Sequence, residues 1–189
     1  MDGRLGKITG TRLKDLVVKR GTKPKKGFYE IIAERVAIPP SEENRMDRGH
    51  RLEEEAIDRF MAETKKKVNK DLVIICRDGE ENIAYSPDGY IGQTEDVEVK
   101  CLNSASHIEA WLTKEVPSEY EYQMLQGFIV NDKLQTRYMV FYDPRMPVDF
   151  FYLTLNREDY EVQIALYLDL ERQALVEIKR IEDLLTFPL

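Results

Sequence analysis

Apolar and polar residues follow two different periods along this chain, and the switches between them divide it into elements. A period near 3.6 runs through 44–64, through 117–130 behind Pro117, and through a closing segment from 157 to about 186. Period-two alternation, or short β-rich runs bounded by turn residues, marks strands at 72–77, 82–86, 89–91, 97–102, 136–142 and 150–155. Ahead of these, Thr9 or Thr11 can cap a helix that reaches Lys19 and stops at Gly21. A basic loop at 22–27 leads to a second helix at 28–36, and Pro39-Pro40 break the chain. Helices, a run of strands, a helix, two strands and a helix predict an α/β or α+β fold, with a central mixed β-sheet flanked by helices. No repeat, low-complexity tract or long linker interrupts the order, so 1–189 is expected to be one domain. Its expected parts are an N-terminal helical part (1–40), a core (41–156) and a closing helix (157–189). In that helix Val162, Leu166, Leu170, Leu175, Ile178, Ile181 and Leu185 fall at helical spacings and are expected to pack against the sheet.

Composition narrows the class. The longest clear apolar run, Leu72 to Cys76, has five residues, far short of the ~18 that span a bilayer. The first residues, MDGRLGKITG, contain no apolar h-region, so no signal peptide is expected. Two cysteines build neither a disulfide framework nor a four-thiolate metal site; Cys76 and Cys101 are expected to be reduced core thiols of a cytoplasmic protein. A net charge of −7, from 28 basic and 35 acidic residues, excludes a general nucleic-acid coat but not a local DNA groove. Lys19, Arg20, Lys23, Lys25 and Lys26 form the densest basic stretch, which suits a phosphate track and a solvated loop equally.

Three segments carry candidate chemistry. The triplet E-x-K occurs at Glu63/Lys65, Glu98/Lys100 and Glu177/Lys179. Only Glu98 and Lys100 lie in an alternating strand, where residues two apart share a face and Val97 and Val99 take the other. On that feature alone a salt bridge on a solvated strand face is the simpler reading. Asp88 lies in the turn-like run Ser86-Pro87-Asp88-Gly89 and opens a strand. A hairpin near 93–96 would set Asp88 beside Glu98 at the sheet end, where two carboxylates repel unless a proton or cation joins them. Along 48–61, Leu52, Ala56, Ile57, Phe60 and Met61 make one apolar arc, and Glu53 falls inside it at about 100° from Leu52. A core-facing carboxylate needs a metal, a cation or a proton, and a salt bridge with Arg59 would also serve. Together these groups suit metal-assisted phosphodiester hydrolysis: carboxylates hold ions and a lysine orients water or neutralises charge. An all-oxygen site with only His50 and His107 in the chain suits Mg²⁺ or Mn²⁺ rather than zinc. His107 reads as a core histidine, and Trp111, Tyr120 and Tyr122 as core or interface residues. Gln123, on a mostly apolar helix, reads by itself as a core glutamine bonded to backbone.

These residues resemble the phage lambda exonuclease (YqaJ-type) family of the PD-(D/E)xK nuclease superfamily. Arg48-Gly49 with Glu53 and Ala56 is similar to its helix motif, and Ser86-Pro87-Asp88-Gly89 followed by Glu98-x-Lys100-Cys101 to its core signature. Tyr120-x-x-Gln123 is similar to its glutamine motif, and Tyr142-Asp143-Pro144-Arg145-Met146 to a strand-end sequence. Arg4-Leu5-Gly6-x-Ile8-Thr9 is similar to an N-terminal phosphate-binding stretch. The resemblance implies a restriction-endonuclease-like core, with Glu53, Asp88, Glu98 and the Val99 carbonyl as ligands of divalent metal. It implies that Lys100 acts on the nucleophilic water, that Gln123 supports it, and that Arg4, Thr11 and Ser86 hold a 5′-phosphate. Thr11 stands where the family has a serine, and keeps the hydroxyl.

The expectation that follows is a 5′→3′ exonuclease for one strand of linear double-stranded DNA, releasing 5′-mononucleotides in phage-type recombination or repair. It would use Mg²⁺, in two ions, with Mn²⁺ able to substitute. Implied partners are DNA ends, two further copies in a trimeric ring and a single-strand annealing protein. A restriction- or repair-type endonuclease and a non-catalytic DNA-end-binding module are the alternatives.

Overall fold

The computed structural model describes residues 45–186 together with Lys26, Tyr29, Glu30, Ala33 and Ala37; of 45–50, 177–179 and 181–186 it describes the backbone. Arg4, Thr11, the expected helix at 9–19 and Lys19, Arg20, Lys23 and Lys25 lie outside the described residues, as does most of 28–36.

The long amphipathic segment forms helix α1 (Arg45–Thr64). A two-stranded hairpin follows, β1 (Ile75–Arg77) and β2 (Glu80–Tyr85), and then β3 (Gly89–Ile91) and β4 (Glu95–Lys100). Helices α2 (Ser104–Thr113) and α3 (Glu121–Val130) connect β4 to β5 (Thr136–Tyr142), which turns back into β6 (Phe150–Asn156). Helix α4 (Glu161–Thr186) closes the chain. The main sheet has the order β3-β4-β5-β6. Its outer pairs are antiparallel and its central pair, β4 with β5, is parallel. That parallel pair requires a long crossover, which α2 and α3 supply. The mixed sheet flanked by helices is the architecture that the element order predicts.

Helix α2 has no counterpart in the sequence reading. Its buried positions include Ser104, Ala105, Ser106 and His107, which are too small or polar to register as a hydrophobic period. A local signal starts it instead: the Asn103 side chain accepts from the Ser106 amide at 3.0 Å, capping the first turn.

Alternation gives the sheet two unlike faces. Val97, Val99, Tyr138, Val140 and Phe150 pack with Ala56, Ile57 and Phe60 of α1. The opposite face carries Met139, Phe141 and Leu155 against Leu125, Phe128 and Ile129 of α3 and Ile164 and Leu168 of α4. Two expectations need correction here. In α4 the stripe Val162, Leu166 and Leu170 is exposed, and Ile164 and Leu168 are the buried positions. The helix is apolar on more than one side, and packing with α3 selects the side. Cys76 is exposed and Cys101 half-buried, so neither is a core thiol. Cys76 belongs to the small separate hairpin, which packs against α3.

Candidate active site

Glu98 is the most deeply placed of the candidate residues. It is 2% exposed in the middle of β4, on the face away from Val97 and Val99, as alternation requires. A buried carboxylate needs partners, and three side chains supply them. Lys100 Nζ donates to Glu98 Oε1 at 2.6 Å, and Gln123 Nε2 donates to the same oxygen at 2.5 Å. Arg137 Nη2 donates to Oε2 at 3.4 Å. The salt bridge between Glu98 and Lys100 is therefore real but not solvated, since the Lys100 side chain is only 13% exposed. The Tyr120 ring covers the ammonium from 5.1 Å, which explains the aromatic residue one helical turn before Gln123.

Asp88 sits just ahead of β3, and Gly89 pairs with Val97 across the hairpin. Gly89 is needed for close approach: a Cβ there would lie 2.4 Å from Val68 Cγ1 and 3.3 Å from the Asn69 carbonyl oxygen. That tight fit holds Asp88 against β4, where its Oδ2 accepts from the Val99 amide at 2.7 Å. A strand residue presents its N–H and C=O to the same edge, so the Val99 carbonyl faces the same end of the hairpin. Burial pushes the Asp88 carboxyl up to about 7, with the charges of Glu98 and Glu53 adding to the rise. The Val99 N–H and Lys100 pull the other way.

Glu53 joins the group from α1. It is half-buried while Glu54 is exposed, and its charge reaches Asp88. Leu52, Ala56, Ile57 and Phe60 are buried as the helical arc predicts. Arg59, the expected salt-bridge alternative, reaches instead toward Asp149 at 3.8 Å and over the Phe150 ring. Ser86 is exposed two residues before Asp88, and its hydroxyl donates to the Val73 carbonyl at 2.6 Å.

Two further groups complete the surroundings, Arg137, which has no place in the sequence motifs, and the Asp143–Arg145 pair of the strand-end sequence. Arg137 is fully buried and its Nε donates to Asp96, itself 1% exposed, at 2.8 Å. A lone charge inside the apolar run 136–142 was a usable signal for it. Beyond β5, buried Asp143 accepts from Ser104 Oγ at 2.5 Å and from Arg145 Nε and Nη2 at 2.7 and 2.8 Å. This ties the 142–146 segment to the start of α2. His107 is the expected core residue, with Nε2 2.8 Å from the Val148 carbonyl oxygen.

Among the described residues, no three acidic, histidine or cysteine side chains form a tight metal cluster by themselves. The fit to a cation lies in the donor set: the Asp88 carboxyl feels the negative charges of both Glu98 and Glu53, which a bound cation would offset. All the donors are oxygens, and Mg²⁺ takes one or two carboxylates and keeps several waters, so a complete protein cage is not required.

A family model for the YqaJ-like viral recombinase domain matches residues 1–134. Among solved structures, the alkaline exonuclease LHK-Exo from Laribacter hongkongensis is 28% identical over 96% of each chain, with a TM-score of 0.57. LHK-Exo in complex with dAMP, again 28% identical over 96% of each chain, superposes with a TM-score of 0.58. Among curated proteins, none matches by sequence.

Proposed function

We propose a metal, a substrate and a direction of attack for this nuclease, a chain that belongs to the YqaJ-like viral recombinase domain family. It is a Mg²⁺-dependent 5′→3′ exonuclease that degrades one strand of linear double-stranded DNA to 5′-mononucleotides. The observation that carries the reading is the Glu98–Lys100–Gln123 cluster beside an Asp88 whose carboxyl is pushed up to about 7. A module that only binds DNA ends has no use for a buried carboxylate, a lysine and a second carboxylate in mutual contact. The LHK-Exo complex with dAMP, a deoxynucleoside monophosphate, supports a mononucleotide product.

In this reading Asp88, Glu98, Glu53 and the Val99 carbonyl hold divalent metal, as two ions, with Mn²⁺ able to replace Mg²⁺. The bound ion supplies a water of lowered pKa and neutralises charge on the scissile phosphate. Gln123 and Lys100 share Glu98 Oε1, so Gln123 fixes the carboxylate and Lys100 takes its position from it. Held under the Tyr120 ring, the Lys100 ammonium is placed to orient the attacking water and to stabilise the negative charge that develops on phosphate. Arg4, Thr11 and Ser86 are the proposed 5′-phosphate holders. The proposal extends to a trimeric ring around DNA, a single-strand annealing protein as partner, and action in the cytoplasm of a phage host.

Digestion of a 5′-phosphorylated linear duplex in Mg²⁺, beside the same plasmid covalently closed, tests the reading. Mononucleotide release from the linear form with the circle intact is the expected result. Nicking of the circle would replace the exonuclease with an endonuclease, and inertness toward both in Mg²⁺ and Mn²⁺ would leave a DNA-end-binding module.

A further inference from the structure

We infer that Arg137 is a positioning residue for the Glu98–Gln123 pair, acting on both partners at once; the inference rests on the proposed roles of those two residues. Arg137 leaves β5 on the same face as Asp96 and Glu98, because parallel register sets Asp96 beside Arg137 and Glu98 beside Met139. Its guanidinium is fully buried and its donors are divided among four acceptors. Nε goes to Asp96 Oδ1 at 2.8 Å and Nη2 to Glu98 Oε2 at 3.4 Å. Nη1 goes to the backbone carbonyls of Gln123 at 3.0 Å and Met124 at 2.5 Å. The group also lies 5.5 Å from the Tyr85 ring centre.

The division has a consequence for the site. Glu98 Oε2 is held by Arg137, which leaves Oε1 to Lys100 and Gln123 and fixes the plane of the carboxylate. The same guanidinium grips the backbone of the residue whose side chain donates to Oε1. Acceptor and donor of the Gln123–Glu98 bond, 25 residues apart in the chain, are thus referred to one rigid fork. Asp96 is the anchor that sets the fork's direction. Gly127 makes the room: a Cβ there would lie 2.3 Å from Arg137 Nη1, 2.4 Å from Cζ and 2.8 Å from Nε. A lysine at 137 would keep the charge and lose the fork.

The test compares wild type, Arg137→Lys and Gly127→Ala, each checked for cooperative melting and for its size by gel filtration. Two readouts are taken: kcat and KM on linear duplex, and Mn²⁺ binding by calorimetry without DNA. Arg137→Lys is expected to lower kcat about 10- to 100-fold, leave KM within about threefold, and weaken Mn²⁺ binding about tenfold, the usual cost of losing a residue that orients a ligand. Gly127→Ala displaces the guanidinium with its charge intact and should move both readouts the same way by less. A folded Arg137→Lys protein with wild-type kcat and Mn²⁺ affinity overturns the inference, as does a wild type that binds no Mn²⁺. If Arg137→Lys does not fold, Gly127→Ala decides by the same criterion. A wild type that binds Mn²⁺ but degrades no DNA sinks the nuclease reading alone, and the Mn²⁺ comparison still decides the role of Arg137.

Discussion

The two faces of β4 and β5 are built from alternate residues of the same strands, yet they obey opposite rules. Toward α1, Val97, Val99, Tyr138 and Val140 bury apolar surface against Ala56, Ile57 and Phe60, with every contact replaceable in kind. Toward α3, Asp96, Glu98, Lys100 and Arg137 bury charge, and each group depends on a specific neighbour. Apolar burial is non-directional and roughly additive with area. Buried ion pairs contribute little net stability against apolar replacements, but losing one partner exposes the full desolvation cost of the other. The comparison teaches that the apolar face holds the sheet while the charged face is held by it. Damage to the apolar face should therefore appear in melting, and damage to the charged face in chemistry wherever the remaining partners still satisfy the buried charges.

The largest expected effect is on the charged face. Lys100→Ala should lower kcat by about a thousandfold, within the range for a positioned proton-transfer or charge-stabilising group. Gln123 and Arg137 continue to satisfy Glu98 in that variant, so its melting curve should stay close to wild type. A thousandfold loss accompanied by unfolding would break the comparison. Next comes Phe60→Ala on the apolar face. Phe60 is fully buried, 5.1 Å from the Tyr138 ring and 5.3 Å from that of Tyr152. Its removal should cost about 3–5 kcal/mol in denaturant melts, with kcat per folded molecule unchanged.

Asp88 sharpens the comparison because its site is organised at the expense of stability. Its carboxyl is raised from 3.8 to about 7 by burial and by Glu98 and Glu53. A raised folded-state pKa means a contribution that is fully present below pH 3.8 and is lost as pH rises through about 7. Metal-free protein should therefore lose stability across that window, and Asp88→Asn should be more stable than wild type above pH 7 by about 1–2 kcal/mol after allowing for solvent screening. A cation requires the ionised form, so Mn²⁺ binding should strengthen as pH rises through about 7 and then level off. Asp88→Asn should abolish cleavage. Equal melting of wild type and Asp88→Asn at pH 8 without metal would remove the electrostatic account. The smallest effect concerns salt: a chain of net charge −7 meets DNA only through local basic groups, so affinity for duplex should fall with slope proportional to the phosphates contacted. A salt-independent Kd would deny a phosphate-tracking surface.

Much of this was legible in the sequence because the decisive signals are local. The period-two pattern in 97–100 assigns Val97 and Val99 to one face and Glu98 and Lys100 to the other, and the 3.6 period of 52–60 buries Leu52, Ala56, Ile57 and Phe60. The Asp88–Glu98 approach follows from a short hairpin, a structure whose ends are close in sequence as well as in space. Helix α2 escapes a hydrophobic period because small and polar residues fill much of its buried side. The first half of α4 buries Ile164 and Leu168 instead of Val162, Leu166 and Leu170 because it offers more than one apolar stripe, while Leu175 packs as its spacing predicts.

Alternation, helical period and turn chemistry thus determined the strands, the buried side of α1 and the shared face of Glu98 and Lys100. Only the tertiary structure decided that β4 and β5 lie side by side in parallel. That pairing brings Arg137 beside Asp96, 41 residues away, and α3 then delivers Gln123 to Glu98. Such contacts depend on which elements pack together, and the energy of a charge depends on how much water packing removes around it. The short-range pattern records which residues a strand offers; the low-dielectric setting that makes Glu98 and Arg137 mutually necessary exists only once the helices close over the sheet.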